Sequence, residues 1–245
     1  MIVAEPKPLD EIMEMIEPYN KIMVLGCGGC VSVCLTGGEK EVGILASSIR
    51  LRRKTEGKEI EVIEMTVPRQ CDYEYFDLMG SRLGEVEAVV DIACGIGTQM
   101  MVEKYPDALV YPGQNTTFYG TGVTPGHWEE YCLGCGNCML GLTGGICPVA
   151  RCSKHLMNGP CGGSENGRCE VDPQNIPCVW QLIYDRLKSI DRLDLMEKIM
   201  EPKDWSTGAD GGVRRFDRDD VYPLEHKQEA AEQEKKKEEG AADKS

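Results

Sequence analysis

Histidine and long apolar runs are both scarce in this sequence. The 245 residues include three histidines, His127, His155 and His226, and so few argue against a histidine-based metal centre. No run approaches the ~20 consecutive apolar residues of a membrane-spanning helix. The N-terminus lacks the basic and apolar regions of a signal peptide. We therefore expect a cytoplasmic protein without membrane insertion.

Positive charge is also in short supply. Lys and Arg number 27 against 41 Asp and Glu, which leaves a net charge of −14. Because proteins bind nucleic acid through basic side chains on phosphate, this balance argues against a nucleic-acid partner. An acidic surface instead suits solubility and docking onto the basic patch of another protein.

The common catalytic and nucleotide-binding motifs are absent. The sequence contains no P-loop, no G-x-S-x-G and no H-E-x-x-H. After the first predicted strand, where a dinucleotide-binding chain has G-x-G-x-x-G, stands Gly26-Cys27-Gly28-Gly29-Cys30. Thiols thus occupy the place where a cofactor phosphate would rest. We expect no flavin or nicotinamide site and no catalytic residue in this chain.

Apolar periodicity predicts an α/β fold, with a small parallel sheet flanked by helices, then an irregular cysteine-rich domain and a C-terminal helix. The predicted strands are 21–26, 59–65, 88–92 and 108–111. The predicted helices lie within 1–20 and at 39–54, 72–83, 96–104 and 179–200. The predicted regions are an α/β domain at 1–124, a cysteine-rich domain with its helix at 125–205, and a charged, disordered extension at 206–245.

Cysteine is abundant, with 13 residues. In a long cytoplasmic chain, clustered thiols are more often metal ligands than disulfides. A first group, Cys27, Cys30, Cys34, Cys71 and Cys94, follows the ends of predicted parallel strands, which share one edge of a sheet. One 4Fe–4S core takes four thiolates. Cys71 and Cys94 therefore compete for the fourth place, and the other would be a small hydrophobic side chain.

A second group of cysteines is denser. It begins with the C-x2-C-x2-C run of ferredoxins and comprises Cys132, Cys135, Cys138, Cys147, Cys152, Cys161, Cys169 and Cys178. Eight thiols suit two cubane clusters, and one cluster with one four-thiolate zinc site is the alternative. His127 or His155 replacing a cysteine is a weaker alternative to plain hydrogen-bonding roles. We expect two or three 4Fe–4S clusters in all, with zinc as the alternative at one site.

Several of these motifs resemble the methylenetetrahydrofolate reductase C-terminal domain family over about residues 15–200. The motifs that carry the resemblance are 26–30, 34–38, 93–97, 132–138, 146–148, 158–163, 167–170 and 178–184. The resemblance implies the small iron–sulfur subunit of a bacterial reductase, as in acetogens.

What the resemblance implies is electron transfer by a subunit that is not itself catalytic. Its partner would be a flavin-containing reductase subunit, with the FMN or FAD in that partner, and a further protein would donate the electrons in acetyl-CoA pathway metabolism. A zinc-binding scaffold subunit of the same reductase is the alternative. An independent enzyme with an open cluster iron is disfavoured, because five thiols are available in the first group alone.

Overall fold

The computed structural model describes residues 1–124, 126–208, 212–216 and 218. By its contacts the chain divides into two compact units. The first comprises Met1–Gly134 and Cys138–Glu201, and the second comprises Cys135–Asn137 and the described residues from Pro202 onward. His226 and most of the predicted disordered extension lie outside the described residues. Within the described part, no helix is both long and apolar enough to cross a membrane.

The described residues of the first unit form seven strands and six α-helices. The strands are β1 (Ile2–Pro6), β2 (Lys21–Cys27), β3 (Glu61–Val67), β4 (Ala88–Asp91), β5 (Val110–Pro112), β6 (Gln114–Thr124) and β7 (His127–Cys132). The helices are α1 (Leu9–Met15), α2 (Cys30–Val33), α3 (Glu39–Thr55), α4 (Gly95–Lys104), α5 (Pro148–Arg151) and α6 (Val179–Ser189).

The central sheet has four strands in the order β3-β2-β4-β5. All three pairings are parallel, which confirms the predicted parallel sheet with helices. Strand β2 lies inside the sheet, and its residues from Ile22 to Cys27 are all buried. Such a continuous apolar strand is typical of a parallel sheet covered on both faces.

Two apolar layers enclose this sheet, because successive side chains of a strand point to opposite faces. Ile22 and Val24 of β2 pack in a cluster with residues of α1 and α3, such as Ile12 and Ile49. Met23 and Leu25 pack in the opposite layer, which contains Phe76, Met79 and Met101. The helices predicted at 39–54 and 96–104 are confirmed within one residue at each end.

A second, antiparallel sheet with the order β1-β6-β7 was not predicted. Strand β1 pairs with β6 across more than 100 residues of sequence, for example Ile2 with Tyr119. Residues 116–119 are Thr-Thr-Phe-Tyr, and β-branched and aromatic residues favour a strand. No local pattern, however, identifies a partner so far away in the chain.

The segment predicted as a helix at 72–83 is a 3₁₀ helix, Tyr73–Glu85, interrupted at Gly80. Gly80 has a φ of 54°, a value that residues with a side chain rarely adopt. The predicted short helix is therefore present, but as 3₁₀ turns with a break and not as one continuous helix. The segment still buries Phe76 and Met79 against the sheet.

Helix α6 ends at Ser189 and not near residue 200 as predicted. Its inner face buries Trp180, Ile183 and Leu187, as the apolar period indicates. Ile190, which was assigned to the same face, is exposed. Asp191 adopts a φ of 56°, and Arg192 N–H donates to the Leu187 carbonyl at 2.9 Å. This is the left-handed turn that commonly closes a helix.

The second unit contains the middle cysteine of the ferredoxin-like run. The Thr207 hydroxyl, in a 3₁₀ turn at Trp205–Thr207, donates to the Cys135 carbonyl at 2.9 Å. A Cβ at Gly136 would lie 2.3 Å from the Thr207 carbonyl oxygen. Only glycine therefore permits this close approach of the two backbones.

Candidate metal centres

Three of the five cysteines in the first group lie together at the carboxyl end of the parallel sheet. Cys27, Cys34 and Cys94 pack in one buried apolar cluster, along with Val31 and Ala93. Strand β1 and the partly buried Phe118 and Trp128 of the antiparallel sheet cover this cluster. The first thiol group thus lies where the edge of one sheet meets the other.

Local structure around Cys27 and Cys30 brings backbone close to sulfur. Cys27 is the last residue of β2, and Cys30 is the first residue of α2. Between them, a Cβ at Gly29 would contact Cys27 Sγ at 3.4 Å. The Gly28 N–H donates to the Val67 carbonyl at 2.8 Å and so joins this turn to β3. Glycine here leaves space beside the thiol, as close approach to a bound group requires.

Cys94 and Cys71 differ in their surroundings. Cys94 is buried and immediately precedes α4. Cys71 is exposed and lies outside the apolar cluster. This placement favours Cys94 over Cys71 as the fourth thiol beside Cys27, Cys30 and Cys34, and Cys71 is not the small buried hydrophobe that was considered.

The buried polar groups near Cys27 were not predicted from the sequence. Burial raises the pKa of the Cys27 thiol, whereas the backbone N–H groups of Gln70 and Gly29 lower it. The Asp91 carboxyl is completely buried, and burial raises its pKa to about 6 against the hydrogen bonds from Gln70 and Ala93. Burying a carboxyl beside thiols costs free energy that hydrogen bonds only partly offset. Its presence here is therefore consistent with a role in this site.

Four cysteines of the second group line one small cavity in the first unit. They come from separate loops and are Cys152, Cys161, Cys169 and Cys178. The cavity volume is about 20 Å³, which admits about one water-sized body. The four scattered cysteines, which the sequence leaves unassigned between iron and zinc, are therefore neighbours in space.

Short backbone links position these thiols. Cys178 immediately precedes α6, and its N–H donates to the Gly167 carbonyl at 2.8 Å. Cys169 N–H donates to the Ile176 carbonyl at 2.9 Å. The Trp180 indole N–H, one turn into α6, donates to the Leu156 carbonyl at 3.1 Å. These bonds hold the loops on both sides of the cavity against the start of α6.

Polar and cationic groups lie around Cys169 at this cavity. The Ser153 hydroxyl lies 3.6 Å from Cys169 Sγ and, with the Val171 N–H, lowers the pKa of that thiol. Lys154, which forms an ion pair with Glu170, and Arg151 also line the cavity. Cations and hydroxyl donors beside a thiol stabilise its ionised, metal-binding form.

The remaining cysteines are less enclosed. Cys132 ends β7 and is exposed, and its Sγ accepts a 3.3 Å hydrogen bond from the Gly134 N–H. Cys138 is exposed, and Cys147 immediately precedes α5. Cys135 belongs to the second unit. The ferredoxin-like triplet is therefore divided between the two units.

The histidines considered as ligands have hydrogen-bond partners. His127 Nε2 lies 3.1 Å from Glu129 Oε1, and His155 Nδ1 lies 2.5 Å from the Val149 carbonyl oxygen. Neither lines the cavity that holds the four thiols. These contacts are the plain hydrogen-bonding roles favoured for both residues.

The donor chemistry of both sites suits soft metals. All thirteen cysteines are free thiols, and thiolates are the usual ligands of iron–sulfur clusters and structural zinc. Among the described residues, no three His, Cys, Asp or Glu side chains are arranged closely enough to hold one ion. Binding would therefore draw the thiols of each set nearer together.

A comparison with known protein families finds a match for part of this chain. Residues 111–206 match a family model described as "Methylene-tetrahydrofolate reductase C terminal". This stretch contains all eight cysteines of the second group and the four-thiol cavity. No curated protein and no solved structure matches the chain.

Proposed function

Residues 111–206 belong to the methylene-tetrahydrofolate reductase C-terminal family, and from that premise we propose that this chain is the iron–sulfur electron-transfer subunit of a cytoplasmic methylenetetrahydrofolate reductase. It relays electrons from a donor protein to the flavin of a separate catalytic subunit, or in the reverse direction. Bound clusters would supply one-electron redox chemistry, and the residues of this chain would hold and insulate them.

The observation that carries this proposal is the convergence of Cys152, Cys161, Cys169 and Cys178 on one cavity within the family segment. Thiols that are 8 to 26 positions apart in sequence do not meet by apolar packing alone in a segment with so little regular structure. Four thiols around one space suit a single tetrahedral ion or one cluster.

The first thiol group supports redox iron more than a purely structural metal. The parallel sheet already stabilises this region by apolar packing on both faces, so a structural ion there would add little. The Cys27 sulfur receives backbone N–H groups from Gln70 and Gly29, and hydrogen bonds to cluster sulfurs tune reduction potentials. Burial behind β1 would also shield a cluster from water.

A zinc-binding scaffold subunit is the second candidate, and one observation favours it. The four-thiol cavity holds about one water-sized body, which suits a single Zn²⁺ better than a cubane of four irons and four sulfides. Zinc in this cavity is compatible with iron in the first group. Zinc in both would remove electron transfer from the chain.

The decisive experiment is oxygen-free purification with the flavin subunit, followed by iron, sulfide and zinc analysis. We expect about four irons and four sulfides per cluster and reduction of the partner's flavin through this chain. Cys161→Ser should lower the metal content by one site, whereas Ser164→Ala, which alters a neighbouring wall of the same cavity, should not. A colourless complex with zinc alone would establish the scaffold function instead.

A further inference from the structure

Gln70 is a polar side chain in an unusual place. It lies in the loop between β3 and the 3₁₀ helix, directly before Cys71, and its side chain is completely buried. Long amide side chains are rarely buried to this degree. A buried amide is retained only where its hydrogen bonds offset the loss of hydration.

The side chain of Gln70 joins two other loops of the same sheet edge. Its Nε2 donates to the Gly26 carbonyl at 3.1 Å and to Asp91 Oδ1 at 2.8 Å. The same Asp91 oxygen accepts from the Ala93 N–H at 3.1 Å. The bonds thus run from the end of β2 through Gln70 to the loop after β4.

Each attachment point lies one residue before a cysteine. Gly26 precedes Cys27, Gln70 itself precedes Cys71, and Ala93 precedes Cys94. The backbone N–H of Gln70 also faces the Cys27 sulfur. One side chain and its own amide are therefore connected to all three strand-end loops that carry thiols.

The packing around Gln70 leaves it little freedom. A Cβ at Gly97 in α4 would lie 2.7 Å from Gln70 Cβ, so the helix is in close contact with the loop. Gln70 Oε1 and Asp91 Oδ2 are buried, and neither has a hydrogen-bond partner among the described residues. Apolar side chains of the same volume would fill this space at lower cost. The network is therefore retained at some expense in stability.

We propose that Gln70, supported by Asp91, is a positioning residue that sets the spacing and direction of the Cys27 and Cys94 loops for metal binding. This inference rests on the proposed function. Gln70 acts through the loops and through its N–H on the Cys27 sulfur. Loss of the side chain should widen the thiol set without unfolding the sheet, whose apolar layers do not depend on it.

The test compares Gln70→Leu with Gln99→Leu in the full chain, purified without oxygen together with the flavin subunit. Gln99 is exposed on α4, and its side chain donates to the Gly95 carbonyl of its own helix at 2.8 Å. We expect Gln70→Leu to lose about four irons per chain and one of the low-temperature paramagnetic signals. Gln99→Leu should keep both. Asp91→Asn, which keeps an acceptor oxygen, should retain iron with a raised midpoint potential, since a negative charge is removed.

Equal iron, spectra and potentials in Gln70→Leu and Gln99→Leu would overturn the inference. If the urea midpoint of metal-free Gln70→Leu shows that it does not fold, Gln70→Asn decides, because it keeps the amide one methylene short. A shifted spectrum supports the positioning role, and an unchanged one refutes it. A wild-type protein without iron would instead refute the proposed function. In that case, the zinc content of Gln70→Leu compared with Gln99→Leu would still test whether Gln70 positions the thiols.

Discussion

The sheet edge and the four-thiol cavity bring cysteines together by different physical means. At the sheet edge, Cys27 and Cys94 follow two adjacent strands, β2 and β4, that the apolar layers hold in register. At the cavity, the cysteines come from turns, and the apolar burial beside them is supplied mainly by α6, with a smaller share from the single turn of α5. Apolar packing therefore holds the first region together without help from its thiols, whereas we expect the second region to depend on ligation of its thiols.

Metal removal should separate the two regions most sharply. Without ligation the turns of 147–178 have little apolar burial to hold them, and metal binding supplies much of the folding free energy in such segments. We expect amide exchange there to rise by about 100-fold or more on chelation under reducing conditions, while β2 and β4 change little. Equal loss of protection in both regions would contradict the distinction.

Cys178→Ser tests the cavity without removing the helix start. Serine is a good N-cap and should preserve α6, but it lacks the thiolate. We expect loss of the metal of one site with far-UV circular dichroism unchanged, by metal analysis and spectroscopy of the same sample. Ser189→Ala, at the opposite end of α6, is the matched control and should keep its metal. Full metal content in Cys178→Ser would exclude this cysteine as a ligand.

Shortening a core side chain should lower the free energy of unfolding by a similar amount in either region, but it should affect metal retention in only one of them. Ile183 and Ile49 are both completely buried, so either change to Ala should cost about 2–5 kcal/mol in urea unfolding. Only Ile183→Ala, under the cavity, should also weaken metal retention against a chelator. If Ile49→Ala releases metal from the cavity as readily as Ile183→Ala does, the two regions unfold as a single cooperative unit and the distinction between them is wrong.

The pH dependence of stability should identify Asp91 in the sheet region. Its pKa is raised from an ordinary 3.8 to about 6 by burial, so between these values the folded state holds a proton that the unfolded state releases. The contribution of Asp91 to the free energy of unfolding is therefore fully present below about pH 4, and it is lost as the pH rises through 6. A shift of about two units corresponds to about 3 kcal/mol.

Urea unfolding of metal-free protein with reduced thiols measures this effect. The stability of Asp91→Asn relative to wild type should rise by that amount between pH 4 and 7. Glu64→Gln, an exposed carboxylate in the same sheet that pairs with Arg50, serves as the control and should not reproduce the trend. A constant difference between Asp91→Asn and wild type would show that Asp91 titrates normally.

The smallest expected effect is at Cys169. The Ser153 hydroxyl lowers the pKa of this thiol, so Ser153→Ala should raise it and slow alkylation of Cys169 at neutral pH in metal-free protein. Ser164→Ala, another cavity change, should leave the rate unaltered. Peptide mapping after iodoacetamide labelling distinguishes Cys169 from the other thiols.

Regular apolar patterns carried the successful predictions. The run 21–26 indicates a buried strand because every position after Lys21 is apolar or glycine, and α3 follows from the spacing of Val42, Leu45 and Ile49, of which Val42 and Ile49 are buried. The antiparallel sheet was missed because its β1–β6 pairing joins distant parts of the chain. Gln70 gave no signal in sequence. Asp91 does give a signal, because it is a charged residue at the end of the otherwise apolar strand β4.

By itself, the sequence determined the chemistry of this protein: thirteen thiols, an acidic surface, a parallel sheet with cysteines after its strands, and the match of residues 111–206 to a family model. Only the tertiary structure decided which thiols are neighbours. Cys94 joined Cys27 and Cys34, and four scattered cysteines met at one cavity. The reason is physical, since ligand identity is a property of single residues, whereas distance depends on long-range packing and on loop hydrogen bonds such as those of Gln70.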